Sequence, residues 1–339
     1  MGIRNASHRT ASKSYFLYVI MAQTSNCPVP DQPSLNWHLR NSTKAPDDLR
    51  HLISDVARSA KYISYAIQTT DTGLSGNTNS FGEDQLKLDE LSDDVIRENL
   101  CENGTVCCYI SEEKDDIIEL DPDGKFTIVF DPLDGSSLVD ANFSIGSIFG
   151  IYEGGDIIGK TLRDQVAALY VLYGPRTLLV YSCGNGTGVH EFILNDVGEF
   201  KLLRSHMGVA DEAKNYSPGN LRAVTTNKQY NVAVEGWMAD EKTLRYSGCM
   251  VADIHHILSK GQGIFSNIGG GEDSKYPDGK LRHVFECGPF AYLVEEAGGL
   301  SSDGVQSILD KKITDVDQRT AIIIGSKNEV EKTVGILSA

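Results

Sequence analysis

Phe126-Thr127-Ile128-Val129-Phe130-Asp131-Pro132-Leu133-Asp134-Gly135-Ser136-Ser137 is the stretch on which the reading of this chain turns. Its first five residues are β-branched or aromatic, the composition of a short strand buried on both faces. Pro132 has no N–H to give to a ladder, so the run predicts a strand that stops at Phe130 and a turn that follows it. Asp131 and Asp134 then stand on the turn that leaves a sheet, with Gly135, Ser136 and Ser137 directly after them. Carboxylates and main-chain carbonyls are the oxygen donors that Mg²⁺ prefers. A Gly-Ser-Ser turn that opens a helix offers N–H groups and hydroxyls to an anion. Together they point to phosphate chemistry; a solvated, Asp-rich turn is the plain structural alternative.

Upstream, Thr105–Ile110 reads as a strand that ends in Ser111-Glu112-Glu113-Lys114-Asp115-Asp116. If that strand neighbours the first, Glu112, Glu113, Asp131 and Asp134 converge at the sheet edge where open α/β sheets place their ligands. Acids packed so closely repel one another unless cations lie between them. Taken alone, Glu112-Glu113 reads first as part of a charged loop that Lys114, Asp115 and Asp116 continue; the second acidic turn shifts the reading toward metal donors. Downstream, Glu286 follows Val284-Phe285 and precedes a helix, as a further metal donor or as an acid favoured by the helix N-terminus.

Composition sets outer limits. The 339 residues suffice for one large domain or two ordinary ones. A formal charge of −16 argues against nucleic acid or an anionic membrane surface as a partner. An anionic substrate then needs metal ions or local clusters of Arg and Lys. No apolar run is long enough for a membrane-spanning helix. The seven cysteines form no C-x-x-C pair and read as thiols of a reducing compartment. Arg4, His8, Arg9 and Lys13 precede the apolar Tyr15–Ala22, with no acid before Asp31. This loosely follows a targeting segment without a clean cleavage site, and Met21 is an alternative start. Cytoplasm is the expected compartment, with a plastid the alternative if that segment is a targeting sequence.

Along the rest of the chain, residues 1–40 are expected to be poorly ordered and Pro30–Pro46 loop-like. Apolar residues from Leu49 to Ile67 keep a helical period, and Asp84–Leu100 reads as a second helix after a loop over Thr70–Gly82. Phe143–Tyr152, Val166–Tyr173, Thr177–Ser182 and Val189–Leu194 read as strands. Beyond about residue 200 the pattern alternates. Strands are expected at Ala223–Thr226, Gly263–Ser266 and Thr320–Gly325. Helices are expected at Tyr230–Asp240, Met250–Ser259, Pro289–Ala297 and Glu329–Leu337. The chain reads as a layered α/β protein with an N-terminal extension (1–40), an α+β half (41–200) and an α/β half (201–339). His255 and His256 are adjacent on a helix, so they point about 100° apart and cannot chelate one ion together.

Ser111-Glu112-Glu113, Asp131–Ser137 and Glu286 resemble the metal motifs of the metal-dependent, lithium-sensitive sugar phosphatases, and most fully those of the fructose-1,6-bisphosphatase family. The likeness also rests on Asn79–Gly82, Val139–Phe143, Arg163–Ala168, Tyr173–Thr177, Gly188–Phe192, Ser217–Arg222, Thr243–Tyr246 and Ser301–Gly304. Within that family it is nearest the sedoheptulose-1,7-bisphosphatase branch. The resemblance implies a layered αβαβα fold, with mixed sheets and helices between and outside them. It implies Mg²⁺-dependent attack of water on the C1 phosphate of a small sugar bisphosphate, with two or three Mg²⁺ per site or Mn²⁺ in their place. By similarity, Glu112, Asp131, the Leu133 carbonyl, Asp134 and Glu286 hold the metal, and Glu113, coupled to Asp89, serves the attacking water. Gly135, Ser136 and Ser137 hold the phosphate that is cleaved. Asn220, Arg222, Arg245, Tyr246, Lys280 and Arg282 line the sugar and the distal phosphate; a solvated basic face is the alternative for each. Arg245 in such proteins reaches a neighbouring subunit's site, which implies a homodimer or homotetramer.

Departures from the family pattern narrow the reading. Thr72 and Asn77 stand where plastid relatives carry a redox cysteine pair, so that switch is not expected. Glu153 and the Asn41–Lys44 loop lack the AMP-binding pattern, so AMP insensitivity is expected. Asn267 replaces a Tyr, consistent with a different or looser sugar preference. The expectation is therefore a sedoheptulose-1,7-bisphosphatase, with a fructose-1,6-bisphosphatase or an enzyme for both as the alternative. A non-catalytic sugar-phosphate-binding regulator on the same fold is a more remote one.

Overall fold

The computed structural model describes residues 31–70, 73–78, 84–114, 116–271 and 274–339. The expectations for residues 1–30, Thr72 and Asn79–Gly82 lie outside them. One compact unit spans Ser34–Ala339 and carries every element of the fold. Helix α1 (Leu35–Asn41) occupies part of the stretch expected to be a loop, because Leu35, His38 and Leu39 share one buried face and Ser34 accepts from the Trp37 N–H. Helix α2 (Asp47–Thr69) has Asp47 and Asp48 in its first turn and buries Leu49, Leu52, Ile53, Val56, Ala60 and Ile63. Strands β1 (Leu74–Thr78) and β2 (Asp84–Leu86) pair as a ribbon, so the expected Thr70–Gly82 loop is part strand and helix α3 starts late (Lys87–Cys101).

Strands β3 (Val106–Ser111), β4 (Ile118–Glu119), β5 (Phe126–Asp134), β6 (Ile145–Glu153), β7 (Gln165–Tyr173), β8 (Thr177–Ser182), β9 (Val189–Leu194) and β10 (Phe200–Met207) come next along the chain. They form an eight-stranded sheet in the order β10-β9-β8-β7-β6-β5-β3-β4. Only the β3–β5 pair in it is parallel. The second sheet contains β11 (Asn215–Gly219), β12 (Thr243–Leu244), β13 (Ile264–Asn267), β14 (Leu300–Ser302) and β15 (Ile322–Gly325), in the order β12-β11-β13-β15-β14. Helices α4 (Lys228–Ala239), α5 (Met250–Lys260), α6 (Gly288–Glu296) and α7 (Lys327–Leu337) complete the fold. Ala223–Thr226 is not the expected strand: Leu221–Thr225 is a 3₁₀ turn, and the strand is β11, whose Ser-Pro-Gly composition imitates a turn.

The period-2 alternation of the strands sorts the layers. On β5, Phe126, Ile128 and Phe130 face Leu52, Val56, Ile63 and Ile96 of α2 and α3, while Val129 faces the opposite core. That central core holds Ile254 and Ile257 of α5, Phe290 and Leu293 of α6, and Ile322 and Ile324 of β15. Ile323 points the other way, toward Tyr230 and Trp237 of α4 and Val330 of α7. Helices α1–α3, a sheet, α5 and α6, a sheet, and α4 and α7 thus stack as α-β-α-β-α. No described helix is long and apolar enough to cross a membrane.

At the β10 side of the large sheet, His38, His190 and His206 cluster, with ring centroids 4.3 Å apart for the first pair and 4.8 Å for the second. His38 Nδ1 lies 2.6 Å from the Tyr181 hydroxyl. Burial, then the neighbouring histidines, lowers His38 to about 3. Burial lowers His190 to about 4. Both rings are neutral in the fold and take up protons near pH 6.5 once unfolded, so their contribution is complete above that pH and is lost as pH falls toward 4. Unfolding free energies from urea titrations should drop by about 1.4 kcal/mol per pH unit for each ring below pH ~6. His38→Gln should lower the measured slope by about 1.4 kcal/mol per pH unit relative to the parent; an unchanged slope would contradict the reading.

Candidate metal and phosphate site

The site begins where β3 and β5 end. The strands are parallel neighbours with Ser111 opposite Phe130, so both chains leave at the same edge, and the Glu112 N–H donates to the Phe130 carbonyl at 3.0 Å. Contrary to the expectation drawn from Pro132, β5 does not stop at Phe130. It runs on to Asp134 along β6, and its register slips by one residue between the pairs Asp131–Ile148 and Asp134–Gly146. Pro132 is tolerated because it sits in this bulge and beyond the end of the β3 ladder, where no N–H is required.

Local hydrogen bonds fix each acid. Asp131 is buried and its Oδ1 accepts the Leu133 N–H at 2.9 Å. Asp134 turns its Oδ2 to the start of α5, where it accepts the Val251 N–H at 2.7 Å and the Cys249 thiol at 3.0 Å. A carboxylate at a helix N-terminus meets unsatisfied N–H groups and the positive end of the dipole. Glu286 lies in the π turn His283–Cys287 that feeds α6, and its Oε2 accepts the Arg282 N–H at 2.6 Å. One oxygen from each of Asp131, Asp134 and Glu286 lies within 4.8 Å of the other two.

Such proximity has an electrostatic cost. Burial, then Glu112, Asp134 and Glu286, raises Asp131 well above the carboxylate range. Burial, then Glu112 and Asp134, pushes Glu286 up to about 8. Asp134 is also raised by burial, with the Val251 N–H and Cys249 opposing. All these donors are hard oxygens, the set that suits Mg²⁺ or Mn²⁺ rather than a soft ion. The acidic cluster can hold a metal ion.

Glu113 sits at the corner after β3, its N–H donating to Ser111 Oγ at 3.2 Å. Ser111 in turn donates to the buried Asp93 of α3, which Lys114 approaches at 3.5 Å. Asp89 is buried one turn earlier on the same helix. Sequence reading does not single out Asp93, although its i+4 spacing from Asp89 is the available signal. Gly135 has φ +80°, and a Cβ there would lie 2.8 Å from Cys249 Cβ, so only glycine lets the turn pass over the start of α5. Ser136–Leu138 form a 3₁₀ turn, with Ser136 half-buried and Ser137 exposed. The first N–H groups of such a turn have no intrahelical acceptor.

The basic residues separate into two groups. Arg222 and Arg245 are exposed and Tyr246 is half exposed. Burial, Asp253 and Asp134 raise the Tyr246 phenol, and Arg222 opposes them. Arg245 Nη1 donates to the Leu244 carbonyl at 2.8 Å. Asn220 donates to the Ile268 carbonyl at 2.7 Å, which ties the ends of β11 and β13. The exposed Lys280 opposes the upward shifts of Asp134 and Glu286, so its charge is felt in the acidic cluster. Arg282 is 1 % exposed, with Nε 3.4 Å from Glu112 and Nη1 against Asp317, and so stands behind the acids rather than in an open groove. Sequence reading also passes over Asp253, whose Oδ1 accepts the Ser247 N–H at 2.8 Å and steadies the loop that carries Tyr246. His255 is a core residue bonded to the Tyr170 hydroxyl at 2.9 Å, as its helical position implied. Burial raises the Cys249 and Cys287 thiols well above their usual value, so neither is a thiolate nucleophile.

Comparison with known proteins gives a consistent picture. Residues 36–205 match the family model for the fructose-1,6-bisphosphatase N-terminal domain, and residues 209–338 the one for its C-terminal domain. The chain is 44% identical over 315 residues to a class 1 fructose-1,6-bisphosphatase of Geobacter metallireducens, covering 91% of this chain and 96% of that protein. It is 41% identical to the chloroplastic sedoheptulose-1,7-bisphosphatase of Triticum aestivum, covering 91% of this chain and 77% of that one. The fold superposes with a TM-score of 0.84 on Leishmania major fructose-1,6-bisphosphatase in its holo form, at 30% identity, covering 91% of this chain and 100% of the other.

This geometry sets two expected outcomes. Asp131→Asn removes a carboxyl whose ionisation the folded site opposes, so at neutral pH the metal-free variant should melt about 2–4 °C higher per kcal/mol of that cost relieved. The same variant should lose the rise in Tm that Mg²⁺ gives the parent chain; scanning fluorimetry with and without Mg²⁺ reads both. Gly135→Ala should cost about 1–3 kcal/mol of stability through its positive φ, measured by urea unfolding.

Proposed function

The chain belongs to the fructose-1,6-bisphosphatase family, and from that premise we propose that it hydrolyses the C1 phosphate of fructose 1,6-bisphosphate in a Mg²⁺-dependent reaction. Members of this family are sugar bisphosphatases, phosphoric monoester hydrolases. The sequence alone puts the seven-carbon substrate first. The 44% identical relative carries the six-carbon name and the 41% identical one the seven-carbon name, which favours the six-carbon alternative as the main reading. Sedoheptulose 1,7-bisphosphate is the second substrate proposed, on the strength of that second relative and of Asn267, whose Oδ1 accepts the Lys280 N–H at 3.3 Å.

The observation that carries the proposal is three carboxylate oxygens from two chain segments, the end of β5 and the π turn before α6, within 4.8 Å of one another, beside the Gly135–Ser137 turn. Asp131, Asp134, Glu286, Glu112 and the Leu133 carbonyl would hold Mg²⁺, which when bound offsets phosphate charge and makes water more acidic. Glu113 takes the proton of the attacking water, and the Ser111–Asp93 pair fixes the main chain that presents it. Asp89 supports Glu113 from α3. The Gly135–Ser137 turn directs N–H groups and hydroxyls at the phosphoryl oxygens as charge builds on them. Tyr246, Arg222, Arg245 and Asn220 receive the distal phosphate, and Lys280 the sugar side of the cleaved one; Arg282 acts through Glu112. A silent regulator would not need the acids that turnover requires, and this chain has them.

Phosphate release by the purified protein with Mg²⁺ tests the reading. The account expects kcat/KM for the six-carbon substrate to exceed that for the seven-carbon one, by no more than about 10–200-fold, as one carbon allows. Preference for the seven-carbon sugar would reverse the order of the two, and no release from either would leave the regulator. Glu113→Gln should lower kcat by about 10²–10⁴-fold while KM stays within a few-fold; full turnover in this variant would exclude Glu113 as the base.

A further inference from the structure

Consecutive residues of a strand point to opposite faces of a sheet. Cys107 and Cys108 of β3 break that rule. The ladder with β5 slips between Val106 opposite Phe126 and Cys108 opposite Thr127, two steps on one strand against one on the other. Such a bulge turns two neighbouring side chains toward one side, and the two sulfurs lie 3.9 Å apart. Thr127 Oγ1 is 3.5 Å from Cys107 and 3.1 Å from Cys108. The thiols donate to separate carbonyls, Cys107 to Phe126 at 3.0 Å and Cys108 to Gly155 at 3.1 Å. Both are free cysteines; Cys107 is half-buried and Cys108 buried.

We infer that Cys107 and Cys108 form a two-thiol chelating site, apart from the phosphate site, for trivalent thiophilic arsenicals. Two sulfurs bound ~2.3 Å from one pyramidal As(III) centre, at an S–As–S angle of about 95°, stand about 3.4 Å apart, so a small rotation of two side chains now 3.9 Å apart closes them on a shared atom. A disulfide fits less well. The Cα atoms of adjacent residues are about 3.8 Å apart, short of the range of about 4.4–6.8 Å that an unstrained disulfide spans. With an organoarsenic(III) oxide, each sulfur forms one As–S bond and both S–H bonds break. The oxide oxygen leaves as water with the two protons, arsenic stays trivalent, and no oxidant is consumed. The half-buried Cys107 reacts first; burial pushes the Cys108 thiol up to about 11, and it follows intramolecularly. Cys101, exposed on α3, is a single thiol and cannot chelate in this way.

The test treats the full-length, Mg²⁺-loaded protein with one equivalent of phenylarsine oxide, followed by intact-mass measurement and a count of remaining thiols. The expected result is a single adduct with two thiols lost, stable to excess monothiol and released by 2,3-dimercaptopropanol. Cys107→Ser and Cys108→Ser should each weaken the adduct about 100-fold or more, because one thiol loses the chelate advantage. Peptide mapping of the wild-type adduct, which needs no folded variant, should place both lost thiols in the peptide that contains Cys107 and Cys108. No adduct that survives monothiol, an adduct mapped to other cysteines, or one unchanged in both variants would overturn the inference.

Discussion

Mutual repulsion among buried carboxylates is the constraint that the rest of the structure accommodates. Asp131, Asp134 and Glu286 bring oxygens within 4.8 Å of one another, and burial and neighbouring charge raise all three. Each is held by a main-chain N–H: Leu133 for Asp131, Val251 for Asp134, Arg282 for Glu286. The fold thus fixes the positions of the acids while opposing their ionisation. A cation bound among the three oxygens would offset that cost.

The layers explain why the arrangement persists. Helix α5 fills the space between the sheets with Ile254, Ile257 and Leu258, and its first turn receives Asp134. Its packing and its electrostatic role are therefore inseparable. The bulge at Asp131–Asp134 re-aims the end of β5 without releasing it from β6, so both aspartates stay anchored to the central sheet. On the other side, Ser111 and Asp93 tie the Glu112–Glu113 corner to α3. Each acid is thus backed by an element whose own burial is large.

Much of this is legible in the sequence, for reasons that can be named. β8 and β9 occupy the stretches their β-rich composition marks, and Leu49–Ile67 lies within α2, because apolar periodicity reports burial directly. The convergence of Glu112 with Asp131 is readable as a condition, and the parallel pairing of β3 with β5 meets it. The features that escape are set by tertiary context. Pro132 inside a strand and Ser-Pro-Gly as β11 contradict local propensity; a bulge and a one-sided ladder make the first possible, and Pro218 pairs only toward β13. Arg282 looks like a substrate contact in sequence, but its burial against Glu112 and Asp317 depends on partners far away along the chain. The same holds for Asp93 and Asp253, whose work is to hold main-chain turns.

Calorimetric titration of Mg²⁺ into metal-free protein at pH 7, in two buffers of different ionisation enthalpy, counts the protons that leave on binding. With Glu286 pushed up to about 8 and Asp131 also raised by burial and neighbouring acids, the account predicts saturable binding with release of about one proton, and less release above pH 8. Saturable binding with no proton release, or no binding at all, would contradict it.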